Sequence, residues 1–110
     1  QLAVKTEANL LRAYPKAFYW DQVVLQKIKW ILSQNPEWSD PVQVYQFFIQ
    51  KYSDIPQLSA WAQYEIGHTY EKRGDFRVAI REFVRTRTHY STEREAYFRA
   101  TVGLIAIDHF

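Results

Sequence analysis

Cysteine is absent from this chain of 110 residues. Its absence excludes a disulfide framework, a thiolate metal site and a cysteine nucleophile, but it leaves both oxidising and reducing compartments open. Methionine is absent as well, including an initiator. The chain is therefore expected to be either a processed mature protein or a fragment of a longer protein, and we favour the fragment.

Glycine and proline are scarce, with three and four residues respectively. An all-β domain needs many tight turns and a flexible linker needs glycine, so this scarcity favours long helices. The longest strongly apolar run, Val102 to Ile107, is far shorter than the ~20 residues that span a bilayer, and nothing at the start resembles a signal peptide. The sequence therefore predicts a soluble all-α segment.

Aromatic residues are abundant, because four tryptophans, eight tyrosines and seven phenylalanines make up 17% of the chain. With 47% hydrophobic and 24% charged residues, the composition is that of one folded domain and not of a disordered segment. The formal net charge of +2 is too small to indicate nucleic acid or a membrane surface by itself. Any basic binding site must be local.

Six helices are predicted from apolar residues at helical spacing and from the breaks between them. Asp40 and Asp75 are the predicted N-caps of the third and fifth helices, and Gly74 is the left-handed residue just after the fourth. Thr92 and Glu95 have the spacing of a capping box at the start of the sixth. The predicted helices cover about residues 2–13, 17–33, 41–51, 56–72, 76–89 and 92–107.

A short sequence mark, a tyrosine followed by proline or serine, recurs every 38 residues at the predicted helix ends. Tyr45 and Phe83 each lie seven residues before such a mark, so the second helix of each unit also repeats. A single helical hairpin cannot bury its apolar faces alone, so we expect successive hairpins to stack with a continuous core. The three marks are Tyr14-Pro15, Tyr52-Ser53 and Tyr90-Ser91.

The segment from Ala60 to Ser91 resembles the tetratricopeptide repeat (TPR) signature. The resemblance lies in Ile66-Gly67-x-x-Tyr70, Gly74-Asp75-Phe76, Ala79-Ile80 and Phe83. It implies antiparallel hairpins stacked as a right-handed solenoid of about six helices in one domain, 1–110. The hairpins would cover about 15–52 and 53–90, with flanking helices at 2–13 and 92–107. The sequence departs from the family pattern at Gln63, Thr86 and Ser91.

Gly67 needs a packing reason, because a glycine inside a helix costs ~1 kcal/mol relative to alanine. We expect Gly67 and Ala79 to let the two helices of the hairpin approach closely. Tyr70, Phe76 and Phe83 would then fill the space around them.

The resemblance also implies a non-catalytic scaffold with a concave groove that binds a protein or peptide segment. The 38-residue period is similar to that of longer-period TPR proteins of the bacterial cell envelope, of the Tol-associated and outer-membrane-assembly type. A periplasmic or envelope location follows from this similarity, with the cytoplasm as the alternative. The groove residues carried over are Trp61, Tyr64, His68, Glu71 and Lys72, with Trp30 in the preceding hairpin.

Each groove residue has an alternative interpretation. Trp61 and Tyr64 can instead pack against the preceding hairpin, and His68 can be an ordinary surface histidine. In the last helix, Tyr97 and Leu104 would continue the groove. The apolar residues of that helix would be partly exposed for want of a following partner, which predicts an interface, a missing neighbour or self-association. They are Leu104, Ile105 and Ile107.

A basic stripe is predicted on the fifth helix, where arginines recur at four-residue spacing. Such a stripe could hold phosphate, nucleic acid, anionic lipid or an acidic partner; the alternative is an ordinary solvated helix face. Its residues are Arg73, Arg77, Arg81 and Arg85.

Catalysis and metal binding have no supporting pattern. His68, His89 and His109 lie on different helices without metal-ligand spacing. No nucleophile elbow and no glycine-rich phosphate loop occurs. The sequence predicts no enzyme, no metal and no cofactor, and it leaves three functions open: a protein-binding scaffold, a basic-surface binder, and a structural spacer or homo-oligomerisation segment.

Overall fold

The computed structural model describes residues 21–107, which form five α-helices and contain no strand. The predicted all-α class is confirmed for this part of the chain. The predicted helix at 2–13 and the Tyr14-Pro15 mark lie outside the described residues. The helices are α1 Asp21–Gln34, α2 Pro41–Lys51, α3 Pro56–Lys72, α4 Phe76–His89 and α5 Arg94–Ala106.

The start of α2 is fixed by a capping box. The carboxylate Oδ1 of Asp40 accepts the backbone N–H of Val42 at 3.0 Å, and Gln43 Oε1 accepts the backbone N–H of Asp40 at 3.3 Å. Pro41 occupies the first helical position, where its missing N–H costs nothing. The predicted cap at Asp40 is confirmed, and Gln43 completes it.

The end of α3 is a Schellman turn at Gly74, which has φ +80. The N–H of Gly74 donates to the carbonyl of Glu71, and the N–H of Asp75 donates to the carbonyl of Tyr70, both at 3.0 Å. Only glycine adopts this left-handed conformation without strain. The predicted role of Gly74 is confirmed.

Two predicted side-chain caps are wrong. Asp75 occupies the N-cap position of α4, but its side chain makes no capping hydrogen bond, because the Schellman turn leaves it at ψ 73 instead of the extended value of Asp40. The capping box of Thr92 and Glu95 does not form either. The N–H of Glu93 donates to the carbonyl of Tyr90, and this turn delays the start of α5 to Arg94.

The helices pack mainly as sequential neighbours, and α3 lies at the centre because it contacts α2, α4 and α5. One core cluster joins α1, α2 and α3 and contains the large buried side chains Phe48 and Trp61. A smaller cluster joins α4 and α5 around Phe83. This all-helical arrangement is compatible with a helical bundle. None of the described helices combines the length and the apolarity needed to cross a membrane.

The 38-residue period appears in the local structure. Tyr52 and Tyr90 are the C-cap residues of α2 and α4, with φ −112 and −127. Their N–H groups donate to the carbonyls of Phe48 at 2.9 Å and Thr86 at 3.0 Å. The prediction that these two marks lie at helix ends is confirmed.

Two core positions also recur at this period. Each of them is buried in α1, α3 and α5. The two sets are Val24, Ala62 and Ala100, and then Ile28, Ile66 and Leu104.

Candidate interaction surface

The ring of Phe83 lies between two helical glycines. A Cβ atom added at Gly67 of α3 would lie 2.6 Å from Cδ1 of this ring, and one added at Gly103 of α5 would lie 2.6 Å from Cε2. Real Cβ atoms do not approach so closely, so both glycines are required for the ring to fit. Phe83 is therefore the side chain that holds α3, α4 and α5 together.

The predicted packing role of Gly67 is thus confirmed, with one change of partner. The ring of Phe83, and not Ala79, is what Gly67 makes room for. Ala79 is fully buried in the same cluster, and Tyr70 packs against it half-buried. Phe76 does not fill this space: it is the first residue of α4, beside the connecting turn, and half of its side chain is exposed.

Trp61 is a core residue, so its prediction as a groove residue is wrong. Only 1% of Trp61 is exposed. Its ring packs edge-to-face on Tyr45 and Phe48 of α2, with centroid distances of 5.5 and 5.6 Å. The alternative interpretation, packing against the preceding hairpin, is confirmed for Trp61.

Three stacked rings lead from the core to the surface. Tyr64 stacks on Phe83 with centroids 5.8 Å apart and on His68 with centroids 5.6 Å apart. Tyr64 is half-buried, and His68 keeps 31% of its side chain exposed. Burial, helped by the negative charge of Glu65, raises the pKa of Tyr64 to about 12, so its hydroxyl stays protonated at neutral pH. Tyr64 is therefore part packing residue and part surface residue.

A buried carboxylate supports the outermost ring. Glu65 is 2% exposed, and its Oε1 lies 3.3 Å from Nδ1 of His68. This contact orients the imidazole ring from its buried side, because Glu65 and His68 lie one turn apart on α3. His68 is thus a surface residue whose ring orientation is fixed by Glu65.

Two charged residues complete this face of α3. Glu71 is half-buried and Lys72 is exposed, and they are the last two residues of the helix. They lie seven and eight residues after Tyr64, which is the spacing of one helix face. We call Tyr64, His68, Glu71 and Lys72 the α3 surface.

Trp30 lies on α1 and is exposed. Of its side chain 45% is exposed, and the Nζ of Lys51 lies 5.0 Å from its ring centroid. This cation–π contact places the ring beside α2. Trp30 is accessible as predicted, but its neighbour is Lys51.

The predicted basic stripe is not continuous. Arg73 is the C-cap of α3 and forms a two-pronged ion pair with Asp40, at 2.6 and 3.3 Å. The carboxylate of Glu82 lies 3.3 Å from Arg81 and 3.5 Å from Arg85. These carboxylates offset the positive charge, so the stripe is interrupted.

Glu82 is placed beside these arginines by the hairpin core. It is only 5% exposed, and its Oε1 accepts a hydrogen bond from Nε2 of Gln63 at 2.8 Å. Gln63, a departure from the TPR pattern, therefore has a structural role: it satisfies a buried carboxylate.

The exposed face of α5 differs from the prediction. Leu104 is 1% exposed and packs beside Phe83, whereas Ile105 is 60% exposed. Tyr97 is half-buried and accepts a hydrogen bond from Arg87 at 2.9 Å. Leu104 therefore does not extend an open groove. Phe98 and Val102 were not predicted to be exposed, but they are 63% and 47% exposed.

The requirement for Gly103 was also missed, although the signal was present. It is a glycine inside a predicted helix, 36 residues after Gly67. Like Gly67, Gly103 therefore needs a packing reason.

Within residues 21–107, no three metal-ligating side chains converge. His109 lies outside the described residues. Comparison with protein-family models, curated protein sequences and solved structures finds no match to this chain.

Proposed function

We propose that this chain is a TPR-like, right-handed helical solenoid that serves as a non-catalytic scaffold and binds a protein or peptide segment on the α3 surface. The observation that carries the proposal is the stack of Phe83, Tyr64 and His68, which anchors an accessible aromatic and charged surface directly in the core. Aromatic rings beside charged groups are typical of binding hot spots.

Rigidity is what such a surface contributes to binding. His68 is held by Tyr64 and Glu65 before any partner arrives. A preorganised surface loses little conformational freedom on association, so more of the contact free energy appears as affinity. The recurrence of C-caps and buried positions at 38 residues supports the stacked-hairpin part of the proposal.

The envelope location depends on the resemblance of the period to longer-period envelope TPR proteins. A basic-surface binder is less well supported, because Arg73, Arg81 and Arg85 each lie beside a carboxylate. Arg77 is the exposed arginine of the stripe that has no carboxylate within 4.0 Å among the described residues.

Affinity capture from envelope and cytosolic extracts tests the proposal. The bait would be the wild-type chain, a His68→Ala/Lys72→Ala variant, and a Gln26→Ala/Lys29→Ala control on exposed positions of α1. Matched circular dichroism spectra would establish that all three baits fold alike. We expect a protein captured by wild type and control and lost from the α3 variant, and the extract that yields it identifies the compartment.

Equal capture by all three baits, or no capture, would contradict binding at the α3 surface. Capture of nucleic acid that falls steeply as salt is raised would instead favour the basic-surface function.

A further inference from the structure

An apolar stripe runs along the outer face of α5. It consists of Phe98, Val102 and Ile105, which are 63%, 47% and 60% exposed. Their spacing of four and three residues places them on one side of the helix. A shallow groove beside Phe98 extends the stripe and is lined by Ser91, Arg94, Glu95 and Tyr97.

The corresponding face of α3 is covered by a helix. The residues that lie 38 positions before those of the stripe are Ala60, Tyr64 and Gly67. Ala60 is fully buried, and both Tyr64 and Gly67 pack on Phe83 of α4. The stripe on α5 therefore occupies the position at which, one repeat earlier, a following helix packs.

We propose that two copies of the chain associate through this stripe, with their α5 helices antiparallel. A twofold axis beside Val102 would set Phe98 of one copy against Ile105 of the other, since these residues are almost equally far from Val102 along the helix. Every exposed apolar residue of the stripe then contacts an apolar residue of the second copy.

The charges on α5 favour the antiparallel orientation. Arg94, Glu95 and Arg99 all lie in the first half of the helix, whereas residues 100–107 contain no charged side chain. Parallel helices would bring Arg94 against Arg94. Glu95 and Arg99 of one helix pair with each other at 3.8 Å, which leaves Arg94. Antiparallel helices instead place Arg94 of each copy near the C-terminal end of the other, where the helix dipole attracts positive charge.

The stripe is narrow, so the association is weak. Three side chains from one helix bury less than the roughly 1,200–2,000 Å² of a standard stable interface. We expect a dissociation constant on the order of micromolar or weaker. A dilution series in sedimentation equilibrium would show the mass rising from 13.2 kDa towards twice that value as concentration increases.

Engineered cysteines test the geometry directly, because the natural chain has none. A Phe98→Cys chain mixed with an Ile105→Cys chain should form the mixed disulfide in the presence of oxidised glutathione, which takes up the two electrons released. The local concentration at an interface should make this about tenfold faster than mixing Val84→Cys on α4 with Ile105→Cys. Parallel packing would instead give Phe98→Cys homodimers.

Separate charge variants show whether the stripe itself is used. Phe98→Glu should leave the chain monomeric at all concentrations, whereas Val84→Glu, at a site 42% exposed on α4, should not change the dilution profile. A monomeric wild-type chain throughout the series, cross-linking at equal rates in both mixtures, or dominant Phe98→Cys homodimers would each overturn the proposal.

Discussion

The two core clusters stabilise the helices in different ways. The first, between α1, α2 and α3, is filled by many large apolar side chains that pack on one another, with Trp61 edge-to-face on two rings. The second depends on the single ring of Phe83, two glycines, and the buried hydrogen bond between Gln63 and Glu82. A core of many large residues distributes its packing, whereas a core around one ring concentrates it.

Phe83→Ala should have the largest effect. Removing a buried Phe costs about 3–5 kcal/mol of unfolding free energy, and here it also removes the contact shared by α3 and α5. Urea unfolding would measure this loss of unfolding free energy. We expect amide hydrogen exchange in α5 to become faster in the same variant.

Phe48→Ala in the first cluster provides the matched comparison. It should cost a similar free energy, because Phe48 is also fully buried. Its effect on exchange should concentrate in α1, α2 and α3, the helices of its cluster. If both variants change exchange in α5 equally, Phe83 does not connect α5 to the other helices.

Gly67→Ala should have a smaller effect that distinguishes tight packing from ordinary packing. The new methyl group would lie 2.6 Å from the Phe83 ring, and overpacking of this kind costs about 1–3 kcal/mol. A gain of ~1 kcal/mol in helix propensity opposes it. We expect a net loss in urea unfolding.

A double-mutant cycle isolates the cause. In a Phe83→Leu background, Gly67→Ala should be less harmful, because a smaller and more flexible side chain can give way. Equal losses in both backgrounds would mean that the cost does not arise at the ring.

The smallest effect concerns Asp40, whose ion pair with Arg73 joins the start of α2 to the end of α3. Burial raises the pKa of Asp40, but hydrogen bonds from Arg73 and from the backbone of Val42, with the charge of Arg73, outweigh it and lower the pKa from 3.8. A lowered pKa stabilises the folded state above 3.8, and this stabilisation is lost as pH falls through the lowered value.

Asp40→Asn should therefore flatten the acid limb of the stability profile. Because 42% of the carboxylate side chain is exposed, we expect an effect of no more than about 1 kcal/mol. Urea unfolding at neutral pH and near pH 3 would measure it. An acid limb identical to that of the wild type would rule out a role for this pair, and Arg73→Met should reproduce part of the change.

Helix boundaries could be predicted from the sequence, because their signals are local. Asp40 before Pro41 and Gly74 after α3 act through their own backbone geometry. Thr92 was misleading, since a turn at Tyr90 moved the helix start. Local signals are reliable when no neighbouring turn competes with them.

The faces of α3 could not be predicted in the same way. This helix is covered by α2, α4 and α5, and ten of its residues are buried. Periodicity identifies one apolar face, but it cannot separate core from surface on a helix that is enclosed on several sides. Trp61 was misassigned for this reason. Leu104 was wrongly expected to be partly exposed together with Ile105, because it packs inward and Ile105 does not.

The glycines at 67 and 103 also set a rule for how such a chain can be lengthened or shortened. The ring of Phe83 is enclosed by α3 on one side and by α5 on the other, so the 38-residue unit is not self-contained. A cut at Tyr90 would remove Gly103 of α5, against which this ring packs. A unit duplicated or deleted in evolution, or transferred by an engineer, would have to keep the first helix of the next unit, including its glycine.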